Sequence, residues 1–234
     1  MSGKRGQGNA SSNWGAVSWA AAATVMGLAL FPSPVLAFCF CARCVTETFD
    51  TYQPMSSSMK PAIEPGACVI VKNRAAVDRG SIIAFRHPVM VDQVFVKRLI
   101  GLPGDTIEMR RGELILNGEP VRQTATAAYL QIFRQEGPYG LWPRCPTLVA
   151  AGETCEIDRR TESLGSGVSW DVLNLDADGY VDTFGPVTVP VGHVFVMGDH
   201  RDNSNDSRVP QEAGGLGFVP VGNILGPAVE IANP

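Results

Sequence analysis

The stretch VDQVFVKRLIGLPGD, residues 91–105, decides the fold. Val91–Ile100 is rich in β-branched and apolar residues, and Gly101-Leu-Pro-Gly104 ends it with a turn, so it reads as a strand. Strand alternation sets Lys97 and Arg98 on opposite faces, which permits a buried Lys97 beside an exposed Arg98. Upstream, Ala67–Lys72 (ACVIVK) and Ser81–Phe85 (SIIAF) have the same character. Downstream, Thr106–Met109 and Glu113–Leu116 follow, then Asn117-Gly118, a strong hairpin-turn signal. Val187–Pro190, His193–Met197 and Asn223–Ile231 complete the set. Residues 122–186 are richer in Gly, Asp, Thr and Arg, with shorter apolar runs, and read as an inserted β-rich subdomain. With 25 Gly and 17 Pro in 234 residues, the expectation is a mainly β fold with two antiparallel sheets around the site.

The N-terminus reads differently. Residues 1–13 form a polar tail. From Trp14 to Ala42 no residue is charged, a run long enough for one transmembrane helix. Lys4 and Arg5 precede it, and Glu47 and Asp50 follow soon after Arg43. That bias places the tail in the cytoplasm and residues 43–234 outside, with the chain held once in the inner (cytoplasmic) membrane and its lipid bilayer. The competing reading is a cleaved signal peptide, with Val35-Leu36-Ala37 as its small-residue site. Either way the remainder is exported.

The net charge is −4, and the basic residues form no cluster or stripe, so no nucleic-acid partner is expected. Six cysteines are present. Cys41 and Cys44 make one C-x-x-C unit without a second, which speaks against zinc. Cys145 and Cys155 bracket a polar loop and are either a disulfide of an exported domain or two thiols. Asp202-x-Ser204-x-Asp206 has a faint calcium-loop spacing, but it lacks the glycine and glutamate of such loops. No metal or organic cofactor is implied, and nothing speaks to oligomeric state.

Three segments carry chemistry: Pro54-Met-Ser-Ser-Ser-Met-Lys-Pro61, Phe95–Asp105, and Met197-Gly-Asp-His-Arg-Asp-Asn-Ser-Asn-Asp-Ser-Arg208. In this order they resemble the boxes of the bacterial type I signal peptidases: Ser-x-Ser-Met-x-Pro, Lys-Arg-x-x-Gly-x-Pro-Gly-Asp and Gly-Asp-Asn-Arg-Asp-Asn-Ser-x-Asp-Ser-Arg. The resemblance covers residues 45–110 and 187–228, with only Thr161-Glu-Ser-Leu-Gly165 faintly matching between. It implies a signal-peptidase-like fold and a serine endopeptidase with a Ser/Lys dyad. Such an enzyme cleaves signal peptides from exported preproteins after small residues at −1 and −3. By this resemblance Ser58 is the nucleophile and Lys97 the general base. The Ser58 N–H and the Ser56 hydroxyl form the oxyanion hole, and Ser204 hydrogen-bonds and orients the lysine. Met59, Ile63 and Val96 line the substrate pockets. Asp199, Arg201, Asp206 and Arg208 form a supporting ion-pair cluster, and Gly198 lets the backbone pass close to the site. The chain departs from the pattern at Met55, Ser57, Ala62, Gly80-Ser81 and His200.

The chemistry is coherent. A serine hydroxyl needs a base, and a lysine amine, ordinarily near pKa 10.4, serves only when burial disfavours its charged form. His200 beside Asp199 raises the rival of a Ser-His-Asp triad. Ser57-Ser58-Met59-Lys60 reads as S-x-x-K, but that motif needs a helix start, and Pro61 pushes Lys60 out of the α region. The alternatives in function are a specialised processing peptidase of the same family (conjugation or pilin-type maturation) and a non-enzymatic exported β-domain. A self-cleaving repressor uses similar chemistry but needs a DNA-binding region in place of the apolar run.

Overall fold

The computed structural model describes residues 48–176 and 178–234. The tail and anchor expected over 1–13 and 14–42 lie outside them, as do Cys39, Cys41 and Cys44. Among the described residues no helix is long and apolar enough to cross a membrane, and the helical pieces are 3-10 turns such as Ser57–Met59 and Arg201–Asn203.

Fifteen strands make up the remainder: β1 (Phe49–Tyr52), β2 (Cys68–Lys72), β3 (Ile82–Arg86), β4 (Val94–Gly101), β5 (Thr106–Arg110), β6 (Glu113–Leu116), β7 (Glu119–Pro120), β8 (Arg122–Ala125), β9 (Tyr129–Ile132), β10 (Thr154–Ser163), β11 (Ser169–Asn174), β12 (Phe184–Thr188), β13 (His193–Met197), β14 (Val219–Pro220) and β15 (Ile224–Ala232). The apolar runs of the sequence became the strands of a seven-stranded antiparallel sheet, ordered β1-β2-β15-β3-β4-β13-β14. A second sheet runs β12-β5-β6-β7. Its β6–β7 hairpin turns on Asn117 and Gly118, both at positive φ (54° and 83°), as a two-residue Asn-Gly turn requires. The insert has its own sheet, β11-β10-β8, with β9 on the leading half of β10. β12 crosses the expected boundary at 186 and pairs with β5. The fold is mainly β and antiparallel, in three sheets.

Among the described residues there are four apolar clusters, the smallest of them within the insert around Cys155, Ile157 and Leu173. Ile100, Ile107, Met109, Leu114, Trp170 and Phe195 fill one. Met59, Ile63, Val69, Val71 and Val96 sit beneath the Ser58 turn. Ile83, Phe85, Leu99, Val194 and Val196 cover the far side of the main sheet. β4 is therefore covered on both faces, and this corrects the expectation for Arg98. It is not exposed: it is 7% accessible. The insert supplies the cover, because Trp170 of β11 lies under the guanidinium, 5.2 Å from ring centroid to Cζ. Arg98 is made tolerable there by a fork onto Asp199 (2.7 and 2.5 Å) and a bond to the Gly80 carbonyl (2.6 Å). A buried ion needs such complete pairing.

Candidate active site

Ser58 sits in the 3-10 turn Ser57–Met59, and Met59 (1% accessible) anchors that turn in the core below. Lys97 comes from β4, in register with Ile83 of β3. The two meet: Lys97 Nζ donates to Ser58 Oγ across 2.5 Å. Lys97 is 3% accessible. Burial lowers its pKa from the ordinary value to about 8, against Asp206 and Asp199, which pull it up, and with Arg208, which pushes it down. An amine in that range is neutral often enough to accept a hydroxyl proton. The pair can therefore generate a serine alkoxide equivalent without a histidine.

His200 is not placed for that task, since the Ser58 hydroxyl meets Lys97 and Ser56 instead. Its side chain is buried, and its Nδ1 has no hydrogen-bond partner among the described residues. Burial, helped by Arg144 and Lys60, lowers its pKa to about 4, so it is a neutral ring at physiological pH. Its backbone is the useful part: the His200 N–H donates to the Ser58 carbonyl (3.0 Å). Asn203 Nδ2 donates to Ser57 Oγ (2.7 Å), a contact available because serine stands at position 57.

The remaining residues are placed as follows. Ser56 Oγ lies 3.0 Å from Ser58 Oγ. A Cβ built on Gly198 would stand 2.5 Å from the Ser58 carbonyl oxygen and 2.3 Å from Ser204 Oγ, so only glycine lets these chains cross. Ser204 corrects the reading drawn from resemblance: its hydroxyl makes no hydrogen bond to Lys97 or to any other described residue. It is turned onto Gly198 instead. Ile63 is a second correction. It is fully buried in one cluster with Met59 and does not line the cleft beside Ser58. That cleft, about 340 Å³, is lined by Met59 and Val96, and also by Tyr52, Met55, Val94 and Phe95. The last four were missed in the sequence, because nothing in an isolated loop or strand says which face meets a cleft.

The expected cluster of four charged residues divides. Asp206 and Arg208 pair with each other through two bonds of 2.9 Å. Burial works to raise the Asp206 carboxyl, but Arg208, the Gly198 N–H (3.0 Å) and Lys97 hold it below the usual range. Asp199 belongs to Arg98, and Arg201 belongs to Glu162 (2.5 Å). Glu162, at 0% accessibility, also accepts from Trp170 Nε1 (3.0 Å). It falls in the segment that matched only faintly.

A family model described as "Signal peptidase, peptidase S26" matches residues 27–232. The chain belongs to that family. Its relatives include signal peptidase I of Pseudomonas aeruginosa, 29% identical over 206 residues, covering 78% of this chain and 64% of the relative. Signal peptidase I of Rickettsia rickettsii is 35% identical over 151 residues, covering 64% of this chain and 50% of the relative. The chain thus spans between half and just under two thirds of these S26 relatives. A solved signal peptidase I structure from Enterococcus faecalis aligns with 26% identity and a TM-score of 0.35, over 66% of this chain and 98% of that one.

Proposed function

We propose that this chain is a type I signal peptidase, a serine endopeptidase that hydrolyses the bond between signal peptide and mature protein. The observation that carries the reading is the 2.5 Å contact between Ser58 Oγ and the dry Lys97 amine. In the proposed reaction Lys97, uncharged, takes the Ser58 proton as the oxygen attacks the scissile carbonyl carbon. The resulting oxyanion is met by the Ser58 N–H and by the Ser56 hydroxyl, already beside the nucleophile. Collapse breaks the C–N bond, the amine leaves with the proton from Lys97, and an ester to Ser58 remains. Water, deprotonated by the same amine, releases the peptide acid and regenerates Ser58.

The cleft supports a peptide as occupant. Val94–Lys97 pairs with β3 along one edge, whereas β13 joins β4 only from Arg98 onward. Among the described residues no named strand pairs with the other edge of Val94–Lys97. An extended segment can add there as a strand. Met59 and Val96 leave shallow apolar space beside Ser58, suited to small side chains at −1 and −3. Membrane attachment rests on the uncharged run Trp14–Ala42. The Cys145–Cys155 disulfide supports an extracytoplasmic domain, because such bonds persist in oxidising compartments. The test is cleavage of a model preprotein by the full chain in detergent. Ser58→Ala and Lys97→Ala should each lower kcat/KM by more than about 10³-fold. A domain that only binds would be indifferent to both.

A further inference from the structure

Lys60, two residues after Ser58, takes no part in the chemistry above, yet it is among the most buried side chains of the described residues, at 2% accessibility. The S-x-x-K spacing invites a role as base. The structure points its ammonium the other way. It donates to both carboxylate oxygens of Glu136 (2.7 Å each) and to Gln131 Oε1 (2.7 Å), and it lies 3.0 Å from Glu64. Gln131 in turn donates to Glu136 (2.6 Å), and the Tyr129 hydroxyl donates to Glu64 (2.7 Å).

Three of these partners belong to the insert. Tyr129 and Gln131 are in β9, where Gln131 stands opposite the disulfide-bonded Cys155 of β10. Glu136 closes a small loop onto Leu141. The Ser58 turn is thus held at three points: Lys97 at its oxygen, His200 and Asn203 at its backbone and at Ser57, and Lys60 at its far end. The third tie is the one that crosses to the insert, and it is ionic and part-buried, with charge-assisted hydrogen bonds that fix direction as well as distance.

We infer that Lys60 is a positioning residue, which with Glu136 and Gln131 uses the insert to hold the Ser58 hydroxyl in line for attack. The inference rests on the peptidase reading of Ser58. It separates Lys60 from the base, since Lys60 is not among the charges that set the Lys97 amine. It also separates Lys60 from substrate binding, since the cleft is walled by Tyr52–Ser56 and Val94–Val96.

The test uses the full chain in detergent. Lys60→Met should lower kcat by about 10- to 100-fold, the cost of a misplaced reacting group. KM should stay within about twofold, and the pH inflection should stay where wild type has it. Lys60→Arg should recover most of the loss. Glu136→Gln, on the insert side of the tie, should give a weaker version of the same signature, and it carries the test if Lys60→Met does not fold. Hydrogen–deuterium exchange of residues 56–63 should quicken in both. Unchanged kcat together with unchanged exchange overturns the inference, and so does a shifted pH inflection, which would place Lys60 in the chemistry. If wild type cleaves no preprotein, the peptidase reading fails, and exchange alone then decides whether Lys60 braces the turn.

Discussion

Lys97 shows what removal of water does to a single side chain. Its pKa near 8 fixes two expected outcomes. First, kcat/KM should rise about tenfold per pH unit below the inflection and level off above pH 8, because only the uncharged amine accepts the proton. Second, the folded state holds this amine less protonated than the unfolded chain between pH 8 and 10.5. Stability therefore gains from this residue as pH rises through that window, and the burial penalty is fully present below pH 8. Lys97→Met should accordingly raise stability at pH 7 by up to about 3 kcal/mol, with the gain shrinking towards pH 10.5; denaturant titration at both pH values checks it. That Ser58 and Lys97 would be brought together was legible, because the boxes around them are long and ordered, and the two side chains do meet. The fate of Arg98 was not. Alternation states that neighbours face apart, but it does not state whether the second face meets water, and the residue that covers it, Trp170, lies about seventy positions along the chain.

Among the elements, the β13–Arg201 loop crosses the Ser58 turn at very close range. Gly198 has no room for a methyl group against the Ser58 carbonyl oxygen, so Gly198→Ala must push the turn away from Lys97. The expected result is a fall in kcat of about 10²-fold, with the cleft and KM little changed; steady-state kinetics on folded protein measures it. β4 depends on its own pairing in a different way. Asp199→Ala strands the Arg98 charge in the interior, and removal of one partner of a buried pair costs about 3–5 kcal/mol, to be read in urea unfolding. Strands were the most readable elements: Glu113–Leu116 and His193–Met197 fall where alternation and turn residues place them. The partners of Ser204 and Ile63 were not readable. Both were assigned by position in a motif, and a motif does not fix a rotamer or a depth.

On the scale of the whole molecule, the insert is more than an appendage to the β-sheets. It supplies Trp170 and Glu162 to the Arg98 and Arg201 sites, and β11 donates the Leu173 N–H to the Asp199 carbonyl (2.9 Å). Its stability should depend on the Cys145–Cys155 link, which closes a loop with a sequence separation of 10. Replacing both cysteines by serine should cost about 3 kcal/mol, visible as a lowered melting temperature. In the sequence this region appeared as a change of composition with one faint motif match and a cysteine pair, because its short strands bury little on their own and its contacts with the site are long-range.

Lys97 lines the cleft proposed to take the substrate. On the proposed reading, a peptide lying there covers the amine further and disfavours its charged form. On that reading the occupant helps to arm the base, whereas Lys97 in the empty cleft is mostly protonated near neutrality. The acidic limb of kcat should consequently lie at lower pH than that of kcat/KM, the first reporting the filled cleft and the second the vacant one.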